Sequence, residues 1–185
     1  MAHSTGSPPE RPSGRWSRLA ERLIDFACSD ATMDWHPIDD AVMGGVSQSA
    51  LQPYSPGVAC FRGVVSLEYG GGFASVRTEP RKWNTAGAQA FVVHCRGDGR
   101  RYKFTVLTDD GLDGVQYQSR FQPPRGEWAE VELPITSFVA SFRGRPVAGA
   151  GPLEPAMVRQ LGFMVSDRQA GPFELLVDWI DVARK

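Results

Sequence analysis

Residues 90–108 have the sequence AFVVHCRGDGRRYKFTVLT, in which two apolar segments are separated by the turn sequence Gly-Asp-Gly. In the second segment Tyr102 and Phe104 fall on one side of an extended chain, and Lys103 and Thr105 fall on the other. Alternation with a period of two is typical of a β-strand with one face against a core and one face toward solvent. This stretch therefore predicts two strands joined by a short turn.

The same pattern recurs along most of the chain from Trp35 onward, where short apolar segments alternate with turn sequences such as PPRG and RQAGP. Further strands are predicted at 57–69, 71–78, 115–122, 128–135, 159–167 and 173–183. The 20 glycines and 14 prolines suit many short strands better than a few long helices. We therefore predict an all-β protein, an antiparallel β-sandwich of the jelly-roll type.

The N-terminal part of the sequence has a different character. Residues 1–14 are rich in Ser, Pro and Gly, and we predict a disordered leader there. In the following segment Trp16, Leu19 and Leu23 stand at helical spacing, which predicts one short N-terminal helix. Because 185 residues fit one hydrophobic core, residues 15–185 are predicted to form a single domain.

Composition restricts the classes of partner and the location. Twenty basic and twenty-one acidic residues give a net charge of −1, so no overall field attracts nucleic acid or anionic lipid. No apolar run approaches the roughly 20 residues that a membrane-spanning helix needs. The polar N-terminal stretch lacks the order of a secretory signal, and we expect a cytoplasmic protein. The three cysteines Cys28, Cys60 and Cys95 are far apart, and we expect buried thiols.

Motifs of catalysis and of cofactor binding are incomplete. The sequence GGVSQS at 44–49 is not a nucleophile elbow, and YGGGF at 69–73 lacks the lysine and the helix of a phosphate-binding loop. The sequence TDDGLDG at 108–114 begins like a calcium loop but has no glutamate at the twelfth position. The three histidines lie in separate segments. We therefore predict that the protein is not an enzyme and needs no cofactor.

Asp39 and Asp40 form an adjacent pair of carboxylates before a glycine turn. Neighbouring side chains of an extended chain point to opposite sides, so the pair is unsuited to sharing one substrate bond. We expect a role within the loop, in which an aspartate accepts backbone N–H bonds or pairs with an arginine such as Arg77. Calcium ligation by these carboxylates is the alternative.

A second group of residues combines aromatic and planar polar side chains. If Arg77, Tyr102, Gln118 and Trp128 met on a concave sheet face, rings and planar groups would suit a sugar. The competing interpretation places the aromatic rings in the core and the polar groups in solvent. The sequence leaves both open.

Several motifs resemble those of one known family, the complex I intermediate-associated protein 30 family. The segment WHPIDDAVMGGVSQS at 35–49 is similar to its opening motif, GGFASVRT at 71–78 to its second and GDGRRYKF at 97–104 to its third. Further similarity extends over about residues 23–182. The residues that carry this further similarity are Tyr117, Phe121, 128–134, Phe138, Arg143, Gly144, 161–167 and 171–180.

The resemblance implies a galactose-binding-like jelly roll, a fold shared with carbohydrate-binding modules. For mitochondrial members it implies an assembly factor of respiratory NADH:ubiquinone oxidoreductase, and for none of them a reaction catalysed by this domain. A respiratory-complex subunit is thereby the implied protein partner.

Two functions follow as hypotheses. The first is a protein-binding or assembly module that uses a loop rim around Asp39, Asp40, Arg77 and Asp98 together with one sheet face. The alternative is a carbohydrate-binding module that holds a glycan on its concave face. Its contact residues would be Arg77, Tyr102, Tyr117 and Trp128.

Overall fold

The computed structural model describes residues 20–28, 30–111 and 114–184. The predicted leader at 1–14 lies outside these ranges. Within them the chain forms thirteen β-strands. In chain order they are β1 Ala20–Asp25, β2 Trp35–Pro37, β3 Gln48–Ser55, β4 Val58–Val65, β5 Ala74–Thr78, β6 Ala90–Gly97, β7 Tyr102–Leu107, β8 Gln116–Phe121, β9 Trp128–Pro134, β10 Val139–Phe142, β11 Arg145–Pro146, β12 Gln160–Val165 and β13 Gly171–Ala183. Four single turns of 3-10 helix lie at Asp40–Met43, Glu68–Gly70, Ile135–Ser137 and Pro155–Met157.

The strands pair in two antiparallel sheets that face each other. The first has the order β3-β4-β13-β6-β9, with β1 also paired to β13, and the second has the order β11-β10-β8-β7-β12-β5-β2. We call them the six-stranded and the seven-stranded sheet. Strands that are distant in sequence are neighbours in space, as in a jelly roll. The predicted antiparallel β-sandwich is confirmed.

The prediction of an N-terminal helix is wrong for its described part, because Ala20–Asp25 is the strand β1. β4 pairs with β13 only as far as Val177, and β1 occupies the same edge of β13 from Trp179 to Ala183. The side chains of Ile24 and Phe26 are buried there, at 5% and 6% exposure. Long-range pairing on an open strand edge thus overrides the helical spacing of the leucines. Residues 15–19 lie outside the described ranges.

The core between the sheets centres on Phe163 of β12. Its ring contacts four other aromatic rings, with centroid distances between 5.4 and 6.5 Å. These rings are Trp35, Phe61, Phe104 and Phe121. Phe61 comes from the six-stranded sheet, so the cluster joins both layers. Residues on either side of Phe163, such as Gly162, point away from this core.

None of the described helical segments is long and apolar enough to cross a membrane.

Replacing Phe163 with alanine is expected to lower the free energy of unfolding by about 3–5 kcal/mol, because the cavity would remove contacts with four rings. Urea titration followed by tryptophan fluorescence measures this change. The matched control is Val64→Ala at a position that is 51% exposed, where a change of no more than about 0.5 kcal/mol is expected. Equal losses in the two variants would contradict the assignment of the core.

Candidate functional site

The outward face of the seven-stranded sheet carries side chains in rows that cross the strands. In the middle row Arg77 of β5 is opposite Gly162 of β12, Gly162 is opposite Thr105 of β7, and Thr105 is opposite Gln118 of β8. A neighbouring row contains Ser75, Met164, Lys103 and Arg120 in the same strand order. The result is a largely polar surface with a glycine, Gly162, at its centre.

Gly162 is required by close approach. A Cβ at this position would lie 2.7 Å from the carbonyl oxygen of Val76 and would overlap Oγ1 of Thr105. Because no side chain projects from Gly162, the sheet surface is recessed at this residue. Arg77 and Thr105 on its two sides are 5% and 2% exposed.

The recess continues into a groove of about 560 Å³. The loop 70–73 together with Ile38 and Met43 closes one end, and Arg143 with Gly144 closes the other. A third wall is the turn 166–168 after β12. The groove is therefore built from loops of four separate parts of the chain on a floor of strands.

The two adjacent aspartates hold one end of this groove in place. Asp40 is 1% exposed and accepts four hydrogen bonds, from the amides of Ser47, Gly72 and Phe73 at 2.9, 2.8 and 3.3 Å and from the Ser47 hydroxyl at 2.5 Å. Each bond of this kind satisfies a donor that would otherwise be buried without a partner. Asp40 thus fixes the glycine loop that forms the groove wall.

Two glycines give this carboxylate its space. A Cβ on Gly71 would lie 2.6 Å from Oδ2 of Asp40, and one on Gly45 would overlap the same carboxylate. The buried aspartate therefore explains why residues 45 and 71 are glycines.

Asp39 points to the opposite side, as expected for adjacent residues. It accepts hydrogen bonds from the Ser49 amide at 2.8 Å, the Ser49 hydroxyl at 2.6 Å and the Ser75 amide at 2.9 Å. These bonds tie the first loop to β3 and β5, next to the groove floor. Both aspartates accept backbone N–H bonds, which is the loop role expected from the sequence.

The two carboxylates differ in electrostatics. Burial raises the pKa of Asp39 above its usual value, against the opposing effect of the hydrogen bonds from Ser49 and Ser75. Burial acts in the same direction on Asp40, but the bonds from Ser47, Gly72 and Phe73 outweigh it and lower the pKa of Asp40. Asp40 is thus held as a carboxylate.

Charged and amide groups concentrate on the remaining walls. Lys103 Nζ lies 3.0 Å from Oδ1 of Asp167, and Arg120 Nε lies 3.4 Å from Oδ2 of the same carboxylate. Burial lowers the pKa of Arg77, while the charge of Asp109 acts against this. The Oε1 atom of Gln116 is buried and accepts no hydrogen bond among the described residues.

Backbone strain also concentrates at this groove. Among the described residues, four that are not glycine have positive φ, namely Tyr69 at 53°, Arg143 at 47°, Asp167 at 61° and Arg168 at 58°. Three of them line the groove, and Tyr69 directly precedes the lining residue Gly70. Such conformations cost about 1–2 kcal/mol each and cluster at functional sites.

The structure brings together only part of the predicted site residues. Arg77 and Gln118 line the groove, while Asp39 and Asp40 hold its end. Asp98 lies elsewhere and accepts hydrogen bonds from the Tyr102 hydroxyl at 2.8 Å and the Glu174 amide at 3.1 Å.

The predicted aromatic residues do not form a platform with Arg77. Tyr102 is fully buried, and burial together with the charge of Asp98 raises its pKa. Tyr117 points toward the core and donates a hydrogen bond to the Gly151 carbonyl at 3.3 Å. Trp128 lies in the six-stranded sheet, where its ring stacks on His94 at 5.0 Å. Because side chains alternate along β7, Tyr102 faces the core and Lys103 faces outward. Tyr102 therefore cannot belong to a platform on the outward face.

The sequence reasoning missed the groove residues Lys103, Gln116, Met164, Asp167 and Arg168. The alternation along β7 already placed Lys103 on the outward face, so this residue could have been found. The turn 166–168 could not, because its position depends on pairing between distant strands.

The described residues contain no cluster of three or more His, Cys, Asp or Glu side chains that could hold a metal ion. The oxygens of Asp39 and Asp40 face N–H and O–H donors of the protein itself, and a cation would have to displace these donors.

Comparison with known proteins identifies a family and a fold. The sequence profile of the family described as complex I intermediate-associated protein 30 matches residues 24–177, which is most of the chain. An uncharacterised protein of Schizosaccharomyces pombe is 29% identical over 167 residues, covering 80% of this chain and 76% of that protein.

The mitochondrial complex I intermediate-associated protein 30 of Neurospora crassa is 27% identical over 172 residues. The aligned part covers 81% of this chain and 62% of that protein, so the chain spans less than two thirds of the Neurospora protein. Among solved structures, the family 11 carbohydrate-binding module of a cellulosomal cellulase of Clostridium thermocellum superposes with a TM-score of 0.64. It covers 90% of this chain and 95% of the module at 14% identity, which establishes a common fold and no more.

Replacing Asp40 with alanine is expected to lower the free energy of unfolding by about 3 kcal/mol or more, because three backbone amides lose a buried acceptor. Chemical denaturation at pH 7 measures the effect. Asp34→Ala is the matched control, since Asp34 forms an exposed ion pair with Arg81 and its loss should cost less than about 1 kcal/mol. If the two variants proved equally stable, the anchoring role of Asp40 would be refuted.

The cost of Asp40→Ala should also depend on pH. The folded protein holds the pKa of Asp40 below the unfolded value of about 4, so the stabilisation is present above that pH and is lost as the pH falls through the folded pKa. Unfolding curves at pH 7 and pH 3 should therefore show a smaller difference between wild type and variant at pH 3. A difference that grows toward pH 3 would contradict the assignment.

Proposed function

The chain belongs to the complex I intermediate-associated protein 30 family, and from this we propose that it is a protein-binding assembly factor for respiratory NADH:ubiquinone oxidoreductase. The partner would be a subunit or assembly intermediate of that complex, bound in the groove of the seven-stranded sheet. The proposal gives the protein a binding role and assigns it no reaction. Its location in the cytoplasm stays a prediction from the sequence.

One observation supports protein as the ligand: exposed apolar side chains lie at the two ends of the groove. Met43 is 58%, Tyr69 77% and Val139 58% exposed. Val139 lies directly opposite Gln118, and Met43 and Tyr69 lie at the loop end of the groove. Apolar ends and a recessed polar floor match the composition of protein interfaces, in which methionine, aromatic residues and arginine are enriched.

The proposed contact residues are Arg77 and Gln118 on the floor and Met43 and Val139 at the two ends. Asp39 and Asp40 would contribute indirectly, because their oxygens are occupied by hydrogen bonds within the protein. They would keep the loop end of the groove in its binding shape.

A carbohydrate-binding function is the second candidate, favoured by the common fold with the family 11 module. Sugar recognition commonly uses aromatic rings that stack on the pyranose. Among the described residues that line the groove, Phe73 alone is aromatic. We therefore rank this function second. Affinity electrophoresis in gels containing β-glucan separates the candidates: the assembly proposal predicts unretarded migration, and saturable retardation lost in Gln118→Ala would favour the glycan.

The assembly function is tested by isolating the tagged protein from detergent-solubilised membranes of its own source cells. Quantitative mass spectrometry should show enrichment of NADH:ubiquinone oxidoreductase subunits with wild type. Val139→Glu should reduce this enrichment by at least about fivefold, because a charge is placed in an apolar contact.

The control is Val64→Glu, which introduces the same charge at a similarly exposed valine, 51% exposed, on the six-stranded sheet. It should retain the enrichment. Absence of these subunits from the wild-type sample would overturn the proposed function, and equal retention by both variants would remove the groove from it.

A further inference from the structure

The groove has a charge opposite to that of the chain as a whole. Its described lining contains four basic side chains, Arg77, Lys103, Arg143 and Arg168, and one acidic side chain, Asp167. Asp167 is already paired with both Lys103 and Arg120. The chain carries a net charge of −1, so the positive charge is local to this face. Complementarity therefore favours an anionic ligand.

Arg168 is a basic group of the groove that such a ligand can reach. It is exposed, lies in the groove wall and has a positive φ of 58°. Its guanidinium forms no hydrogen bond or ion pair with any of the described residues. A strained backbone that presents an unengaged cation at a groove wall is consistent with a binding function.

The depth at which the basic side chains lie excludes some classes of anionic macromolecule as the ligand. Arg77 and Lys103 are only 5% and 9% exposed, so a flat bilayer or a nucleic acid duplex does not reach them. Single-stranded nucleic acid is bound through stacking on aromatic rings, of which the described lining holds only Phe73. A narrow extended chain fits this geometry.

The groove wall includes Gln116, whose amide has an acceptor without a partner in the described part of the chain. Its buried Oε1 accepts no hydrogen bond among the described residues, and a buried acceptor without a donor is costly. A peptide offers N–H groups along its backbone, whereas an ionised phosphate offers only acceptors. An acidic peptide carries both N–H donors and negative charge.

The length of the groove indicates the size of the segment that it can hold. The middle row is continued by Val139, which is opposite Gln118. With this residue it runs from β5 to β10, which is four strand spacings or about 19 Å, equal to about six residues of extended chain. We propose, resting on the proposed function, that the groove binds an extended acidic segment of about six residues in the partner protein.

The test uses a display library of random ten-residue peptides selected on the full 185-residue protein. Enriched peptides are expected to carry a net charge of about −2 or lower, and their affinity should fall as salt is raised from about 50 to 500 mM. Fluorescence anisotropy of the best labelled peptide should show at least about tenfold weaker binding to Arg168→Glu. The matched variant Arg62→Glu, at an exposed position of β4 on the other sheet, should bind within about twofold of wild type.

Enrichment of neutral or basic peptides, no enrichment, or equal effects of the two charge reversals would overturn the inference. Tighter binding to poly(U) or to vesicles containing phosphatidylserine than to the selected peptides would also overturn it. The assay contains no respiratory subunit, so its outcome is independent of the isolation experiment. If acidic peptides bind but no respiratory subunits are isolated with the protein, only the proposed function is refuted. If the subunits are isolated in a manner that depends on Val139 but the selected peptides are not acidic, only this inference is refuted.

Discussion

The alternation of side chains along β12 is the constraint on which the rest of this structure depends. Phe163 points inward and joins aromatic rings of both sheets, so it fixes how the layers pack. Gly162, one residue earlier, points outward and leaves the space from which the groove develops. A shift of this strand by one residue would move the Phe163 ring into the groove and remove it from the core. Core and candidate site are therefore set by the same register.

The loops around the groove depend on a second constraint, the buried carboxylate of Asp40. Its bonds to the amides of Ser47, Gly72 and Phe73 connect two loops that are about 25 residues apart in sequence. Glycines at 45 and 71 exist because this carboxylate occupies the space a Cβ would need. Strand register thus fixes the floor of the groove, and the hydrogen-bonded carboxylate of Asp40 fixes one end. Residues of the remaining walls have positive φ values.

Sequence periodicity predicted the fold class because each two-residue alternation from β4 to β13 is local. It failed at β1, where helical spacing was overridden by the free edge of β13, and it did not identify β3 or the short strands β2, β10 and β11. For the site, Arg77, Gln118 and the loop role of the aspartates followed from face and residue type. Trp128 was grouped with them because a single sequence does not show which strands share a sheet. Tyr102 lies in the same sheet as Arg77 but on its inner face, because a single sequence does not show which face of a strand is buried.

In the function that we propose, the groove of the seven-stranded sheet is the surface that meets a respiratory-complex protein. A photo-crosslinking amino acid placed at Gln118 on the groove floor and, separately, at Val64 on the opposite sheet tests this contact when living cells are irradiated. We expect cross-links to a subunit of NADH:ubiquinone oxidoreductase from position 118 and none from position 64. Cross-links to that complex from position 64 alone would contradict it.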